Sequence, residues 1–241
     1  MSQVSVVICT YNRDKYLDLT LAGYLNQSYD AFEIIVIDDG GSDNTNNIIK
    51  KYNSILNINY LYQEHMGLSN ARNIGLDLSN GKYIIITDSD RIPSPRFIEE
   101  HISLLRNNPS TVSIGRKHLV LSIFNQNLRL AYPLVFKFLR NNPKFISDFI
   151  NLTEVPIFTP EDIAADFNRI INSAYLKEPR DNYRDVVDEY TEDLTDFHMG
   201  WAMATGGNVA FERNEKSLDI KFDENYRGWG LEDTDFFINC I

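Results

Sequence analysis

Short β-rich runs alternate with helical patterns from Val4 to about Gly115. Parallel strands need a crossover connection, usually a helix, so this alternation predicts βαβ units and an α/β fold with a mostly parallel central sheet. The predicted strands are VSVVIC, EIIVID, INYLYQ, KYIIIT and TVSIG. The predicted helices are DKYLDLTLAGYLNQ, SDNTNNIIKKY, GLSNARNIGLDL and SPRFIEEHISLLRNN, the last with Ser94 as N-cap and Pro95 at its first position.

The pattern changes after Gly115. Residues from about 116 to 197 mix aromatic-rich helical segments with the acidic stretch DNYRDVVDEYTEDLTDF, which we interpret as an irregular insertion rather than a second independent core. GWAMATGGNVAFER then restores a strand-like run, and LEDTDFFINCI reads as an amphipathic helix after a Gly/Trp turn. We therefore predict one continuous domain with two halves, residues 1–115 and 116–241.

Composition excludes one class of partner. The chain has 241 residues, of which 43% are hydrophobic, and a formal net charge of -11. Nucleic-acid binding needs a concentrated basic surface, and none is visible, whereas an anionic ligand would need a metal ion or a local basic pocket. Two cysteines, Cys9 and Cys240, are too few for a disulfide framework and fit a reducing compartment.

The sequence shows no targeting segment and no membrane span. The first strand begins at Val4 with no basic region before it, and no apolar run approaches the roughly 20 residues that cross a bilayer. We therefore expect a cytoplasmic protein. The last helix stops at Ile241 without a closing Gly, Pro or polar tail, which predicts a trimmed chain or one domain of a longer protein.

Polar side chains follow three of the predicted strands. Ligands of open α/β sheets bind outside the carboxyl ends of the strands, so these side chains are candidates for one shared site. Taken singly, each has a simpler interpretation, because Asp39–Gly40 is a favourable turn and Asp43 and Thr10 are both suitable helix caps. The candidates are Thr10, Tyr11 and Asn12 after the first strand, Asp38 and Asp39 after the second, and Asp88 and Asp90 after the fourth.

Asp88 and Asp90 raise an electrostatic question. Residues i and i+2 of an extended chain point to the same side, so both carboxylates can face one small volume. Two like charges that close repel each other unless a positive group lies between them. With Ser94 predicted to cap the next helix, neither acid is needed there. The predicted counter-charge is a hard divalent cation, Mn²⁺ or Mg²⁺, which one or two carboxylates hold together with water and substrate phosphates.

Five segments together resemble the family 2 glycosyltransferases of the GT-A fold. They are VSVVICTYNRDKYLDLTL, EIIVIDDGGSDNT, QEHMGLSNARNIGL, YIIITDSD and GWGLEDTDF, in family order and over nearly the whole chain. The resemblance implies a Rossmann-like half, residues 1–115, that binds a nucleotide-sugar, and an acceptor-binding half, residues 116–241. It also implies inverting transfer from a UDP-sugar to an acceptor hydroxyl, in the synthesis of a cell-surface polysaccharide or glycoconjugate.

The same resemblance implies roles on the donor side. Asp39 would recognise the uracil ring, Arg72 would reach toward the base or diphosphate, and Asp88 would lie by the ribose. Asp90, the last acid of the DxD-type motif, would be the principal metal ligand, with Asp88 beside it. The set implied for the nucleotide-sugar is Thr10, Tyr11, Asn12, Asp39, Arg72, Asp88, Ser89, Gly207 and Asn208.

Two glycines precede Asn208 in ATGGNVAF, which resembles the family's segment near the donor sugar and the acceptor. Gly206 and Gly207 would permit a close backbone approach there. A tight β-bulge is the simpler interpretation, and the two are compatible.

Catalysis needs a group that takes the proton of the acceptor, because sugar transfer passes through an oxocarbenium-like state attacked by a hydroxyl. The resemblance assigns this base to Asp233 of the GWGLEDTDF segment, with Glu232 and Trp229 contacting the acceptor. The simpler interpretations are that the acids favour the positive end of the helix dipole and that Trp229 is a core residue.

Two departures from the family pattern bear on the site. The usual DDGS appears as DDGG followed by Ser42, which keeps Asp39 in place but leaves the role of Ser42 open. Related enzymes often contribute a further metal ligand, a histidine, downstream of the ED pair, and this sequence ends before such a residue. Ordinary surface or packing roles are predicted for the four histidines present, which are His65, His101, His118 and His198.

Alternative functions stay open at this point. A nucleotidyltransferase on a related sheet typically carries a Gly-rich phosphate loop after the first strand, where this chain has TYNRDKY. A non-catalytic module that binds sugar nucleotides is disfavoured by the presence of both acidic motifs. The acceptor is a carbohydrate, a lipid-linked oligosaccharide or a peptide. The segment FKFLRNNPKFISDF is predicted to pack on the sheet, with peripheral contact to the inner face of a membrane as the alternative.

Overall fold

The chain divides into two compact units in a computed structural model that describes residues 3–118, 120–124, 132–151, 155–174, 182–190, 203–214, 219–226 and 230–240. The larger unit is made of Met1–Arg116 together with Asp181–Ile241, and the smaller is Lys117–Arg180. Every candidate site residue named above belongs to the larger unit.

A six-stranded sheet forms the centre of the larger unit. Its strands are β1 (Val4–Thr10), β2 (Phe32–Asp39), β3 (Ile58–Gln63), β4 (Tyr83–Asp88), β5 (Val112–Ile114) and β8 (Asn208–Glu212). Their order across the sheet is β3-β2-β1-β4-β8-β5. The first four strands run parallel, and β8 pairs antiparallel with both β4 and β5. The predicted α/β fold with a mostly parallel sheet is therefore confirmed.

Both units contain helices. In the larger unit the helices are α1 (Asp14–Tyr24), α2 (Thr45–Tyr52), α3 (Leu68–Leu78), α4 (Phe97–Asn107), α9 (Asn182–Tyr190) and α10 (Glu232–Cys240). In the smaller unit they are α5 (Tyr132–Asn141), α6 (Ile146–Ile150), α7 (Pro160–Ala165) and α8 (Phe167–Ala174), with a 3₁₀ turn at Pro143–Phe145 and a strand pair of β6 (Ile123–Phe124) and β7 (Val155–Pro156).

Close packing of α3 on the sheet places its first turns at the carboxyl edge. The middle strands are almost wholly buried, as expected where helices cover a parallel sheet. A Cβ atom on Gly75 would overlap the Cγ1 atom of Val7, so glycine lets α3 lie directly against β1. Arg72, three residues earlier on α3, is only 3% exposed as a result.

Aromatic packing fixes the start of α10. Phe236 and Phe237 are buried, and the Phe236 ring stacks on that of Phe222 with their centroids 4.0 Å apart. The segment containing Phe222 is in turn held by Asn73 of α3, whose side chain accepts from the Phe222 amide at 2.8 Å and donates to its carbonyl at 2.9 Å. These contacts connect the first turn of α10 to α3.

The predicted N-cap at Ser94 is wrong, because α4 begins at Phe97 and its N-cap is Arg96. The Ser94 carbonyl instead accepts from the Phe97 amide in a turn, and also from Nε2 of Gln27 at 2.7 Å. Oε1 of Gln27 accepts from the amide of Ile98 at 3.2 Å. A side chain from beyond the end of α1 thus satisfies a helix amide for which the sequence offered a local cap.

The strand-like run predicted from residue 200 is shorter than expected. Within the part of the chain that the structure describes, β8 begins only at Asn208, and residues 203–207 precede it without strand pairing. None of the helices in the described ranges is both long and apolar enough to cross a membrane.

Candidate active site

The carboxylate of Asp39, at the end of β2, is buried and accepts three hydrogen bonds from protein donors. Oδ1 accepts from Nε2 of Gln63 at 2.6 Å and from the Met66 amide at 2.9 Å. Oδ2 accepts from the Gly67 amide at 2.9 Å and lies 2.8 Å from Nδ1 of His65. The hydrogen bond of His65 Nδ1 is to the Asp39 backbone carbonyl, at 3.0 Å. Three donors therefore occupy three of the roughly four acceptor positions of the carboxylate, and the His65 ring lies against the fourth. We call Asp39, Gln63, His65, Met66 and Gly67 the Asp39 cluster.

An aromatic pair lies next to the Asp39 cluster. The rings of Tyr11 and His65 stack with centroids 4.3 Å apart and an interplanar angle of 23°. Tyr11 is 47% exposed, so the pair presents a ring face to solvent. The sequence analysis predicts only an ordinary surface or packing role for His65, although this residue follows the carboxyl end of β3, where the strand-end rule would include it.

The altered DDGG turn has a defined partner. Oδ1 of Asn12, which has a positive φ of 53°, accepts from the Ser42 amide at 2.8 Å. Oδ1 of Asp38 accepts from the Gly41 amide at 2.9 Å. The Ser42 amide thus connects the loop after β2 to Asn12 in the loop after β1, whereas the Asp38–Gly41 hydrogen bond lies within the loop after β2.

Thr10 and Ser89 are both buried beside the site. Oγ1 of Thr10 has no hydrogen-bond partner among the described residues. The carbonyl oxygen of Ser89 accepts from Oγ1 of Thr20 at 2.8 Å, which fixes the backbone between the two acids of the DxD-type motif.

Asp88 and Asp90 face arginines. Nε of Arg91 lies 3.5 Å from Oδ2 of Asp88 and 3.7 Å from Oδ1 of Asp90. Arg13 contacts the other oxygen of Asp90 at 3.3 Å. The side chains of Asp88 and Asp90 are 37% and 36% exposed, so these ion pairs are in contact with solvent.

Arg72 links this motif to the ED pair. Its guanidinium donates to Oδ1 of Asp233 at 2.6 Å and lies 3.6 Å from Glu232 and 3.7 Å from Asp88. The guanidinium also lies over the Phe222 ring, 5.1 Å from its centroid. One buried cation therefore contacts acids from β4 and from α10. Together these residues form the arginine cluster, defined as Arg13, Arg72, Arg91, Asp88, Asp90, Glu232 and Asp233.

Gly206 forms one wall of the Arg72–Asp233 contact. A Cβ atom at this position would overlap both the Arg72 guanidinium and Oδ1 of Asp233, so any other residue would push the pair apart. The backbone of Gly206 also hydrogen-bonds to the Asp233 carboxylate. The close backbone approach at Gly206 is thus toward the Arg72–Asp233 contact, and the approach to a bound sugar stays a prediction.

Burial raises the pKa of Asp233, and the nearby charges of Glu232 and Asp88 act in the same direction. Arg72 and the Gly206 hydrogen bond oppose the shift, but the net direction is upward. A carboxylate with a raised pKa is a better proton acceptor, which is the property that a general base needs.

Glu232 is turned inward, with a side chain only 4% exposed, and its Oε2 accepts from the Gly230 amide at 2.8 Å. The residue between them, Leu231, has a positive φ of 65° and a side chain that is 69% exposed. A strained backbone and an exposed apolar side chain thus lie next to Asp233. Trp229 lies outside the described residues.

Both polar groups of the Asn208 side chain are engaged. Its Oδ1 accepts from Nε2 of His101 at 2.8 Å, and its Nδ2 donates to the Arg116 carbonyl at 3.0 Å. Nδ1 of His101 is 2.8 Å from Oγ of Ser113. Burial lowers the pKa of His101 to about 4, so the ring is neutral, donates from Nε2 and accepts from Ser113. The predicted packing role of His101 is confirmed, and it supports the segment that carries Gly206 and Gly207.

The donor set at Asp88 and Asp90 fits a hard divalent cation in its chemistry. Two partly exposed carboxylates match what Mg²⁺ or Mn²⁺ usually takes from a protein when water and phosphates supply the other ligands. Arg91 places a positive group against both acids, and its Nε is buried without a hydrogen-bond partner in the described part of the chain. Over the same residues, no group of three or more His, Cys, Asp or Glu side chains is arranged to hold a metal ion.

Comparison with known proteins agrees with this geometry. The model of glycosyl transferase family 2 matches residues 5–159. Chondroitin synthase of Escherichia coli is 30% identical over 238 residues, which are 97% of this chain and 31% of that protein. Hyaluronan synthase of Pasteurella multocida is 30% identical over 242 residues, covering 97% of this chain and 22% of that protein. The chain thus spans less than a third of the length of these relatives.

A solved structure supports the fold. The crystal structure of S. aureus TarS 1-349 matches 100% of this chain and 55% of its own with a TM-score of 0.58 at 19% sequence identity. At that identity the likeness shows the architecture alone. The family match extends over the first five strands of the sheet, the Asp39 cluster and the DxD-type motif, and this chain therefore belongs to glycosyl transferase family 2 and has the GT-A fold.

Proposed function

We propose that this chain is the catalytic domain of an inverting glycosyltransferase that moves a sugar from a UDP-sugar to a hydroxyl group of a carbohydrate acceptor. One observation carries the proposal: buried Arg72 contacts Asp88 at the end of β4 and Asp233 at the start of α10. The predicted donor motif and the predicted base therefore lie on either side of one cation, as a reaction between two bound substrates requires.

The donor side would bind the nucleotide by stacking and hydrogen bonding. The exposed Tyr11 ring, supported by His65, offers a face for a base. Asp39 is the proposed partner of the uracil N3–H group. Three protein donors already occupy the carboxylate, so uracil would use the acceptor position of Oδ2 that faces the exposed His65 ring.

The acceptor side would deprotonate the attacking hydroxyl. Asp233 is held by Arg72 and by the Gly206 backbone, which fixes the direction of its carboxylate. Its raised pKa favours proton uptake from an acceptor hydroxyl. Leu231 offers apolar surface for a sugar ring beside it, and Glu232 would act on the acceptor through the turn that it holds as well as by direct contact.

A divalent cation is the proposed cofactor, with Asp90 and Asp88 as the residues that would hold it. Mn²⁺ or Mg²⁺ would, when bound, neutralise the charge that builds on the leaving diphosphate. Arg13 and Arg91 would remain beside the same acids as further positive charge.

The substrate class follows from the relatives by analogy. A chondroitin synthase, a hyaluronan synthase and a poly(ribitol-phosphate) beta-N-acetylglucosaminyltransferase are among them. We propose a hexosyl or N-acetylhexosaminyl donor and an acceptor of a growing surface polysaccharide or glycoconjugate. Lipid-linked and peptide acceptors are the alternatives that an acceptor screen would distinguish.

The test is release of UDP. Purified protein with Mn²⁺ should form UDP slowly from UDP-glucose or UDP-N-acetylglucosamine, and faster when a suitable oligosaccharide is added. EDTA and Asp90→Ala should each abolish this turnover, whereas Asp77→Ala, an exposed carboxylate near the end of α3, should leave it unchanged. Tight UDP binding with no UDP formation from any donor would support the non-catalytic module instead.

A further inference from the structure

Arg91 is the only residue among those described that forms ion pairs with both acids of the DxD-type motif. Its Nε atom lies 3.5 Å from Asp88 and 3.7 Å from Asp90, and its amide donates to the Asp88 carbonyl at 3.2 Å in the same turn. The turn thus brings the guanidinium back over the two side chains that precede it. The Arg91 guanidinium is therefore a positive group, supplied by the chain itself, that lies against the paired carboxylates.

The contact is electrostatic rather than a fixed hydrogen bond. Arg91 Nε is buried, yet it has no hydrogen-bond partner in the described part of the chain. The three side chains are 36–39% exposed, and ion pairs with that much solvent contact are individually weak. Arg91 is therefore held against the acids by charge and is able to exchange for another cation.

Removal of Arg91 would leave less positive charge at these acids. Asp88 would retain the more distant Arg72, and Asp90 would retain Arg13, whose side chain is 50% exposed. Arg72, the third arginine of the cluster, also pairs with Glu232 and Asp233. If Arg72 moved away, it would leave Asp233 as a buried charge without a partner, which is costly. Arg13 and Arg91 can both move at low cost, but only Arg91 contacts both acids among the described residues.

We propose that Arg91 is an internal counter-ion that holds Asp88 and Asp90 together in the metal-free protein and competes with a divalent cation for them. The inference rests on the proposed function, which assigns the metal to these acids. A nucleoside diphosphate supplies new anionic oxygens, to which a guanidinium binds well. Metal and nucleotide should therefore strengthen each other's binding, because the nucleotide gives the displaced Arg91 another partner.

The experiment measures Mn²⁺ binding directly, without sugar transfer. Electron paramagnetic resonance of free Mn²⁺ gives the affinity of wild-type protein, Arg91→Gln, Arg96→Gln and Asp90→Asn, each checked for folding by circular dichroism. Arg96 is the matched control, since it pairs with Glu99 on α4 and not with the motif. Arg91→Gln should bind Mn²⁺ about 2- to 30-fold more tightly, the effect of removing two exposed ion pairs. Arg96→Gln should match wild type, and Asp90→Asn should bind least.

A second titration repeats these measurements with saturating UDP. Wild-type protein should gain more Mn²⁺ affinity from UDP than Arg91→Gln does, so the two affinities should converge. Unchanged or weaker Mn²⁺ binding by Arg91→Gln without UDP would overturn the proposal while leaving the proposed function intact. Mn²⁺ binding that does not depend on Asp90 would overturn the metal assignment as well, whereas UDP release tests sugar transfer independently of either result.

Discussion

The Asp39 cluster and the arginine cluster both follow parallel strands at one edge of the sheet, but their acids are neutralised differently. Asp39 is 4% exposed, and its carboxylate accepts from two backbone amides and one side-chain amide. Asp88 and Asp90 are about one third exposed, and among the described residues their ion-pair partners are all guanidiniums, at 3.3–3.7 Å. Amide donors in fixed loops satisfy the first carboxylate, whereas exchangeable charges balance the other two.

This difference separates a rigid part of the site from a responsive one. Hydrogen bonds to fixed amides define a single position for a carboxylate, so the Asp39 cluster is suited to shaping a pocket. The acids of the arginine cluster outnumber its arginines by four to three, so a bound cation or anion changes the balance of the whole cluster. We expect substitutions in the first to alter stability most and substitutions in the second to alter activity most.

The largest expected effect is on catalysis, from Asp233→Asn in the arginine cluster. Removing the proposed base while keeping its shape should lower sugar transfer by about 10²–10⁴-fold, with UDP-sugar binding nearly unchanged. Initial rates of UDP release with acceptor present, and calorimetry for donor binding, measure the two quantities. Asp235→Asn, in the same first turn of α10, is the matched control and should retain activity.

Near-normal transfer by Asp233→Asn would assign the proton to another group, of which Glu232 is the nearest candidate by sequence. The test belongs in the longest natural form of the protein as well, since the two synthases are roughly three and four and a half times the length of this chain. Loss of UDP-sugar binding in this variant would show that Asp233 also affects donor binding, which would weaken the distinction between the two clusters.

Periodicity predicted the framework of this fold well. All five strands read from alternation up to Gly115 form, because buried parallel strands leave continuous apolar runs that differ plainly from helical spacing. The strand-end rule likewise gathered Asp39, Asp88 and Asp90 at one edge. Both predictions depend only on residues that are close in the sequence, and such predictions hold where the sheet is regular.

Contacts between residues that are far apart in the chain could not be predicted from the sequence. Gln27 caps α4 from 71 residues away, and Arg72 reaches Asp233 across 161 residues. Arg91 adjoins the motif, but a divalent cation already accounts for the paired acids, so the sequence does not single Arg91 out. A lone histidine such as His65 carries no spacing pattern that would indicate its partner. In each case the pairing depends on tertiary packing, which no window of the sequence contains.

The second largest effect concerns His101, which supports the segment that contains Gly206, and it appears in the dependence of stability on pH. The pKa of His101 falls to about 4 in the folded protein, against about 6.5 for an unperturbed histidine. Between these values the unfolded chain binds a proton that the folded chain does not, so stability should fall as pH drops from about 6.5 to about 4, by up to about 3 kcal/mol. Urea unfolding at several pH values measures this loss.

His101→Gln isolates the contribution of the histidine, because glutamine retains a donor for Asn208 and an acceptor for Ser113 without titrating. The variant should lose less stability than wild type over the same pH range. Equal acid sensitivity of His101→Gln and wild type would show that His101 is not the group that titrates.

The smallest expected effect tests the comparison itself, with one amide substitution in each cluster. Asp39→Asn replaces an acceptor by a donor facing the amides of Met66 and Gly67, so it should lower the free energy of unfolding by about 1–3 kcal/mol. Asp90→Asn removes only exposed ion pairs and should change it by less than about 1 kcal/mol. Urea unfolding at neutral pH measures both. UDP competition against other nucleoside diphosphates then asks whether Asp39→Asn also loses its preference for uracil, as a base-reading carboxylate would.

Equal stability losses would mean that amide and guanidinium partners hold their acids equally firmly, and the division into a rigid and a responsive cluster would fail. A larger loss at Asp90 would reverse it, because the arginines would then be structural supports rather than exchangeable counter-ions.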